Sequence, residues 1–411
     1  MLRWIIFITI YLLVDAYAYQ AFRTLSKSRV VFVIYWLISV LILANLIYQL
    51  SIGFDRSVGL TQSTNQAIGL FLAIFIPKIA ILFFVFGEDI IRTPMAAFRM
   101  IFGNKTVDGA YFPSRRKFVS QLALLAAALP FSSLLYGMYK GKYNYKVLKY
   151  TLEFDDLPTA FDGYQITQIS DIHSGSFDNP DKINYGVDLI NQQESDVLLF
   201  TGDLVNNRAE EMDNWVAIFK KLKAKKGKYS ILGNHDYGDY VDWESEDAKK
   251  ANMEKLKSIH KQLGFDLLLN ENRLLEKDGE KIALIGVENW GAGGFKKAGD
   301  LTKAIQGVDT KDFKILMSHD PTHWEHEVKD NDTHYHLTLS GHTHGMQFGI
   351  EIPGWIKWSP VKWRYKYWAG IYEEAGKILN VNRGFGFLAY PGRVGIWPEI
   401  TVITLKKKLI A

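Results

Sequence analysis

The sequence predicts an α/β layered domain preceded by a bundle of about four transmembrane helices. Three observations carry this. Apolar residues concentrate before Tyr139 in stretches longer than a core helix needs; short apolar runs alternating with polar helical stretches begin near Tyr150; and the loops after five of those runs hold Asp, Asn or His. At 411 residues the chain exceeds one ordinary core and divides into a membrane region over 1–140 and a second domain over 150–411.

The net charge of +4 and a pI near 8.8 are mildly basic, and the excess sits beside the apolar stretches, where Lys and Arg flank membrane helices. No nucleic-acid partner follows from it. The absence of cysteine excludes disulfides and thiolate metal sites, so any metal here takes nitrogen and oxygen ligands.

Four stretches reach the ~20 residues a bilayer crossing requires: 4–22, 30–54, 67–87 and 118–139. The third carries Pro77 and Lys78 near its middle, which predicts a kinked or re-entrant segment, with the lysine either facing a partner helix or snorkelling. The fourth follows "SRRKFV", which resembles the twin-arginine export signal; the plainer alternative is an ordinary basic flank. Arg23, Lys27 and Arg29 in the first connection, and Arg92, Arg99, Lys105, Arg115, Arg116 and Lys117 in the third, place both inside by the positive-inside rule. The second domain then lies outside the cytoplasm, anchored to the cytoplasmic membrane. Lys140, Lys142, Lys146 and Lys149 run against that orientation.

From Tyr150 the expected strands are "QITQIS", "DVLLFT", "KYSIL", "KIALIGV", "FKILMS", "YHLTLS", "KILNV" and "EITVITL", several of them continuous apolar runs of the buried type. Residues 181–193, 209–223 and 247–263 read as amphipathic helices between them. The first strand is followed by "DIH", the second by "GD", the third by "GNHD", the fifth by "HD" and the sixth by "GHTH". Any one of these is a turn or a cap on its own. Together, each after a strand, they deliver carboxylates, an amide and imidazoles to the carboxyl ends of the strands, where open α/β sheets bind ligands.

This series resembles the signature of the calcineurin-like metallophosphoesterases over 150–405, and "GHTHGMQFG" with "NRGFGFLAYPGRVGIWPEI" is similar to a bacterial branch with a membrane-attached or exported N terminus. Met346 stands where that branch usually has a third glycine. The resemblance implies a layered β-sandwich flanked by helices and two divalent ions, Mn, Fe or Zn. One ion is held by Asp171, His173, Asp203 and His344, the other by Asp203, Asn234, His319 and His342. Such ligands suit hard or borderline ions, and two ions about 3.5–4 Å apart can present a bridging hydroxide to phosphorus. His235 is spare and expected to face substrate, with Asp236 fixing its tautomer; His323, His326, His334 and His336 are expected to be structural or merely solvated.

Trp355, Trp358, Trp363 and Trp368 alternate with Lys357, Lys362, Arg364 and Lys366 soon after His344. Aromatic rings beside cations suit a bilayer interface, which makes Trp355, Trp358, Trp363 and Arg364 a candidate lip for membrane and substrate; the alternative is that the tryptophans pack a hairpin onto their own core. The leading expectation is therefore a membrane-anchored phosphoesterase acting on a phosphorylated lipid or envelope substrate. Against it stand a phosphate-recognising sensor with little turnover, a cytoplasmic-facing nucleotide-lipid pyrophosphatase, and a transporter, which sparse membrane charge disfavours.

Overall fold

The computed structural model describes residues 2–51, 55–57, 59–102, 113–352 and 354–408. Lys105 and the last residues of the second expected span lie outside them. The chain forms two compact units, residues 1–53 with 66–137 and residues 54–65 with 138–411.

The first unit holds helices α1 (Leu2–Leu25), α2 (Arg29–Ser51), α3 (Gln62–Phe102) and α4 (Pro113–Tyr139). Each contains a segment long and apolar enough to cross a bilayer, with mean hydropathy of 1.6, 2.7, 2.6 and 1.8. Helix α3 runs on through Pro77 and Pro94, well beyond the expected 67–87 and without a re-entrant break. Lys78 does not snorkel: it is buried, paired with buried Asp15, and donates to Ser39 Oγ at 3.1 Å. A charge in an apolar bundle persists only when so partnered. Arg116, the second arginine of "SRRKFV", is likewise consumed by Glu88 at 2.7 Å and Asp89 at 3.0 Å.

Among its described residues the second unit contains fourteen strands: β1 (Lys146–Phe154), β2 (Gln165–Ile169), β3 (Val197–Phe200), β4 (Gly227–Ser230), β5 (Asp266–Leu267), β6 (Glu271–Lys277), β7 (Glu280–Gly286), β8 (Phe313–Met317), β9 (Leu337–Ser340), β10 (Ile350–Ile352), β11 (Ile356–Trp358), β12 (Gly370–Glu374), β13 (Lys377–Val381) and β14 (Glu399–Lys407). One six-stranded sheet has the order β1-β14-β2-β3-β4-β5 and the other β12-β13-β9-β8-β7-β6, while β10 and β11 form a separate hairpin. Leu199, Ile166, Ile231 and Ile403 of the first sheet meet Ile282, Leu284, Ile315 and Leu339 of the second in a shared core.

The outer face of the first sheet, including Leu198 and Phe200, is covered by α5 (Pro180–Asn191), α6 (Val216–Phe219) and α7 (Glu246–Gln262) through Val187, Phe219, Leu256 and Ile259. Burial on both faces explains why β3 reads as an unbroken apolar run. This is the expected layered sandwich. The domain begins earlier than Tyr150, which falls inside β1: Lys146 already pairs with Glu399 of β14. Lys142, counted above against the orientation, is buried and paired with Asp178 at 2.5 Å, so it is no membrane-surface charge.

Residues 209–223 are not the expected continuous helix. A 3-10 turn at Ala209–Met212 is followed by the four-residue α6. The cause is Glu211, whose half-buried carboxylate accepts from the backbone N–H groups of Asn206, Asn207 and Arg208 at 2.5, 3.0 and 2.9 Å. The turn is spent on holding a loop.

Candidate metal centre

That loop follows β3 and belongs to a cluster at the carboxyl ends of five parallel strands. Asp171 and His173 follow β2, Asp203 follows β3, Asn234 and His235 follow β4, His319 follows β8, and His342 and His344 follow β9. The sandwich thus brings loops of both sheets to one point. Asp171, His173 and His344 offer ligand atoms within 4.8 Å of one another, as do Asp203, His319 and His342. Asp203 also groups with His173 and His235, so it is common to both halves.

The ring nitrogens are aimed from behind. His319 Nδ1 meets the Thr201 carbonyl at 2.7 Å and His173 Nδ1 meets Asn206 Oδ1 at 3.1 Å. Their Nε2 atoms, both buried and without a hydrogen bond, point at Asp203 Oδ2 from 3.2 and 3.5 Å. Such orphaned nitrogens, converging on a carboxylate, fit a divalent cation. His344 Nε2 stands 3.2 Å from Asp171 Oδ1, and His342 Nδ1 lies 2.7 Å from Asn234 Oδ1.

The electrostatics suit a cation. Burial alone would lower the His319 ring, but the Asp203 carboxylate holds it above the ordinary imidazole range. Burial likewise opposes ionisation of Asp171, yet the nearby His344 and His319 hold it below the usual carboxylate range. Burial depresses His173, His235 and His342, which favours their neutral rings.

His235 is oriented otherwise than expected. Its Nδ1 meets the Asn206 carbonyl at 2.7 Å, which leaves Nε2 free. Asp236 does not touch that ring: its carboxylate accepts from the backbone N–H groups of Asp203, Leu204 and Gly233 at 2.9, 2.8 and 2.9 Å, tying the β3 and β4 loops together. His323 and His336 bond Ser318 and Asp156, and neither they nor His326 and His334 join a metal-type cluster among the described residues. Trp355 and Trp363 are exposed, Trp358 half-buried, and Trp368 packs with Val361, Tyr365 and Ile396, so the alternative of core packing holds for Trp368.

Several residues of the site carried no sequence signal. Tyr365 OH bonds His342 Nε2 at 2.9 Å, and Asp320 Oδ2 faces the same nitrogen at 3.3 Å. Tyr240 OH receives from Asn234 Nδ2 at 2.9 Å. Only Asp320, beside His319 in "SHDP", had a neighbour to point to it.

A helix-flanked double sheet with a nitrogen-and-oxygen cluster at its strand ends makes a candidate metal-binding domain, and comparison with known proteins narrows it. The family model described as "Calcineurin-like phosphoesterase" matches residues 164–346, and that of "Probable Calcineurin-like phosphoesterase, transmembrane domain" matches residues 2–142. The chain is 30% identical to the uncharacterised metallophosphoesterase YkuE of Bacillus subtilis, covering 71% of this chain and 98% of that one. It is 26% identical to a transmembrane protein with a metallophosphoesterase domain from Danio rerio, covering 70% and 62%. Among solved structures, the phosphopantetheinyl hydrolase PptH of Mycobacterium tuberculosis aligns with a TM-score of 0.33 at 12% identity, covering 54% and 89%. The chain belongs to the calcineurin-like metallophosphoesterase family, joined to the four-helix membrane region of that family.

Proposed function

We propose that this membrane protein is a dinuclear-metal phosphoesterase that hydrolyses a phosphoester or pyrophosphate bond in a lipid or cell-envelope substrate on the outer face of the cytoplasmic membrane. The observation that carries the metal reading is the pair of orphaned buried nitrogens of His173 and His319, aimed at one oxygen of Asp203. Asp171, His173, Asp203 and His344 would hold one ion, and Asp203, Asn234, His319 and His342 the other. Bound divalent ions of the Mn, Fe or Zn type supply an activated water and neutralise the non-bridging phosphate oxygens.

The protein's own groups do the rest. His235, held by the Asn206 carbonyl, keeps Nε2 toward substrate, where an approaching phosphate favours its protonated form and proton delivery to the leaving oxygen. Arg364 lies over Phe295 at 5.3 Å, and Phe295 meets the edge of His342 at 4.8 Å, so a cation borders the cluster where an anionic substrate would enter.

The test is turnover of chromogenic phosphate mono- and diesters by the full chain in detergent, with Mn, Zn or Fe added. Metal-dependent hydrolysis that Asp203→Asn abolishes is the expected result. Bound metal with no turnover of either ester, including esters presented in vesicles, would replace the hydrolytic reading with that of a phosphate-recognising sensor.

A further inference from the structure

The hairpin β10–β11 is inside out. Its register pairs Ile350 with Trp358, Glu351 with Lys357, and Ile352 with Ile356. Directly opposed residues share a face, so Ile350, Ile352, Ile356 and Trp358 form one side, with Glu351 and Lys357 on the other. A hairpin resting on a water-soluble domain turns its apolar face inward. Here the polar side makes the contacts with the domain, with Glu351 half-buried and Lys357 exposed, while on the apolar side only Trp358 is half-buried. Glu351 pairs with the buried Arg383 at 2.6 Å, while Lys357 bonds the Ala369 carbonyl and lies over the rings of Trp368 and Tyr372 at 5.1 and 4.9 Å. The isoleucines are left 50%, 43% and 40% exposed, Trp355 in the turn 82%, and the nearby Trp363 75%.

The inverted pattern calls for an apolar partner, and the surroundings say which. Lys362 and Arg364 flank Trp363, both are exposed, and among the described residues neither has a carboxylate partner. Tryptophan beside lysine and arginine matches the headgroup region of an anionic bilayer, and the chain's own apolar helices keep it at one. We propose that the hairpin Ile350–Trp358, with Trp363, inserts into the interface of an anionic lipid bilayer. The surface leads to the metal cluster through Arg364 and Tyr365, whose hydroxyl bonds His342. The inference stands on the hairpin and is independent of hydrolysis.

The chain has no cysteine, so Trp355→Cys and Trp363→Cys each give one site for an environment-sensitive fluorophore, at exposed positions that leave the core intact. The labelled full chain is placed in nanodiscs of phosphatidylcholine with and without phosphatidylglycerol. Blue-shifted emission, quenched at least twofold by an acyl-chain nitroxide and shielded from aqueous iodide, is expected at both positions with the anionic lipid. Joint replacement Lys362→Glu and Arg364→Glu is expected to reduce the lipid quenching by half or more. Solvent-like emission open to iodide would overturn the proposal, as would a blue shift without lipid quenching, which would mean a second protein copy covers the face. Asp203→Asn carries the same labels, so the outcome is read without turnover.

Discussion

Asp171, His173, Asp203, His342 and His344 all have φ between 49° and 71°, the left-handed region that side chains with a Cβ rarely adopt. Each costs about 1–3 kcal/mol and persists only where the surroundings over-determine it. The surroundings are tight. A Cβ on Gly341 would overlap Ser170 Oγ and the Asp171 carboxylate, and one on Gly233 would overlap Asp203. Gly341→Ala should therefore fold but bind less metal, losing about 1–3 kcal/mol of stability as an overpacking change. Metal analysis and a melting curve check this, and an unchanged metal content would refute it. His235→Ala should leave metal content intact while lowering kcat by about 10²–10⁴-fold, the usual contribution of a positioned acid or base; rates on metal-saturated protein decide it. The motif residues were legible because each directly follows a strand. Asn206, Tyr240 and Tyr365 were not, because they reach the site by tertiary approach, Tyr365 across 23 residues of sequence from His342.

At the scale of elements, legibility followed burial. Except for the half-buried β4, the expected strands were those largely buried by packing, whereas β1, β5, β6, β12 and the hairpin strands lie at sheet edges or outside the sheets, with mixed composition. The break in residues 209–223 was invisible because Glu211 serves a neighbouring loop and not its own helix. Helix α7 met expectation and carries a pH-sensitive pin. Its His260 is fully buried, with Nδ1 2.9 Å from Ser230 Oγ, and burial pushes it down to about 3. Burial also lowers His323, to about 4. A histidine depressed in the fold stabilises fully above its unfolded value near 6.5 and loses that contribution as pH falls from there toward the folded value. Each such ring removes about 1.4 kcal/mol per pH unit in that window. The melting temperature of the full chain should fall steadily below pH 6.5, with a shallower slope in His260→Gln; equal slopes would rule His260 out as a source.

For the whole molecule, the connection between α2 and α3 ties topology to the second unit, of which residues 54–65 are part. Asp242 N–H donates to the Arg56 carbonyl at 3.0 Å, Arg56 pairs with Asp242 at 3.2 Å, and the Arg208 guanidinium donates to the Ser57 carbonyl. If all four apolar helices cross a bilayer, parity puts this connection on the same face as the rest of the second unit. The side is the outer one if the basic first and third connections stay inside, although Arg116, consumed by Glu88 and Asp89, contributes less to that rule than its sequence position implies. Truncations after Arg29, Arg56 and Ala411, fused in turn to a periplasm-active phosphatase and a cytoplasm-fluorescent protein, separate these points. Phosphatase activity at Arg56 and Ala411 with fluorescence at Arg29 is the expected pattern. The reverse at all three keeps four spans but turns the catalytic domain to the cytoplasm, where a nucleotide-linked lipid becomes an accessible substrate. Opposite signals at Arg56 and Ala411 would break both the parity and the packing of Ser57 on Arg208.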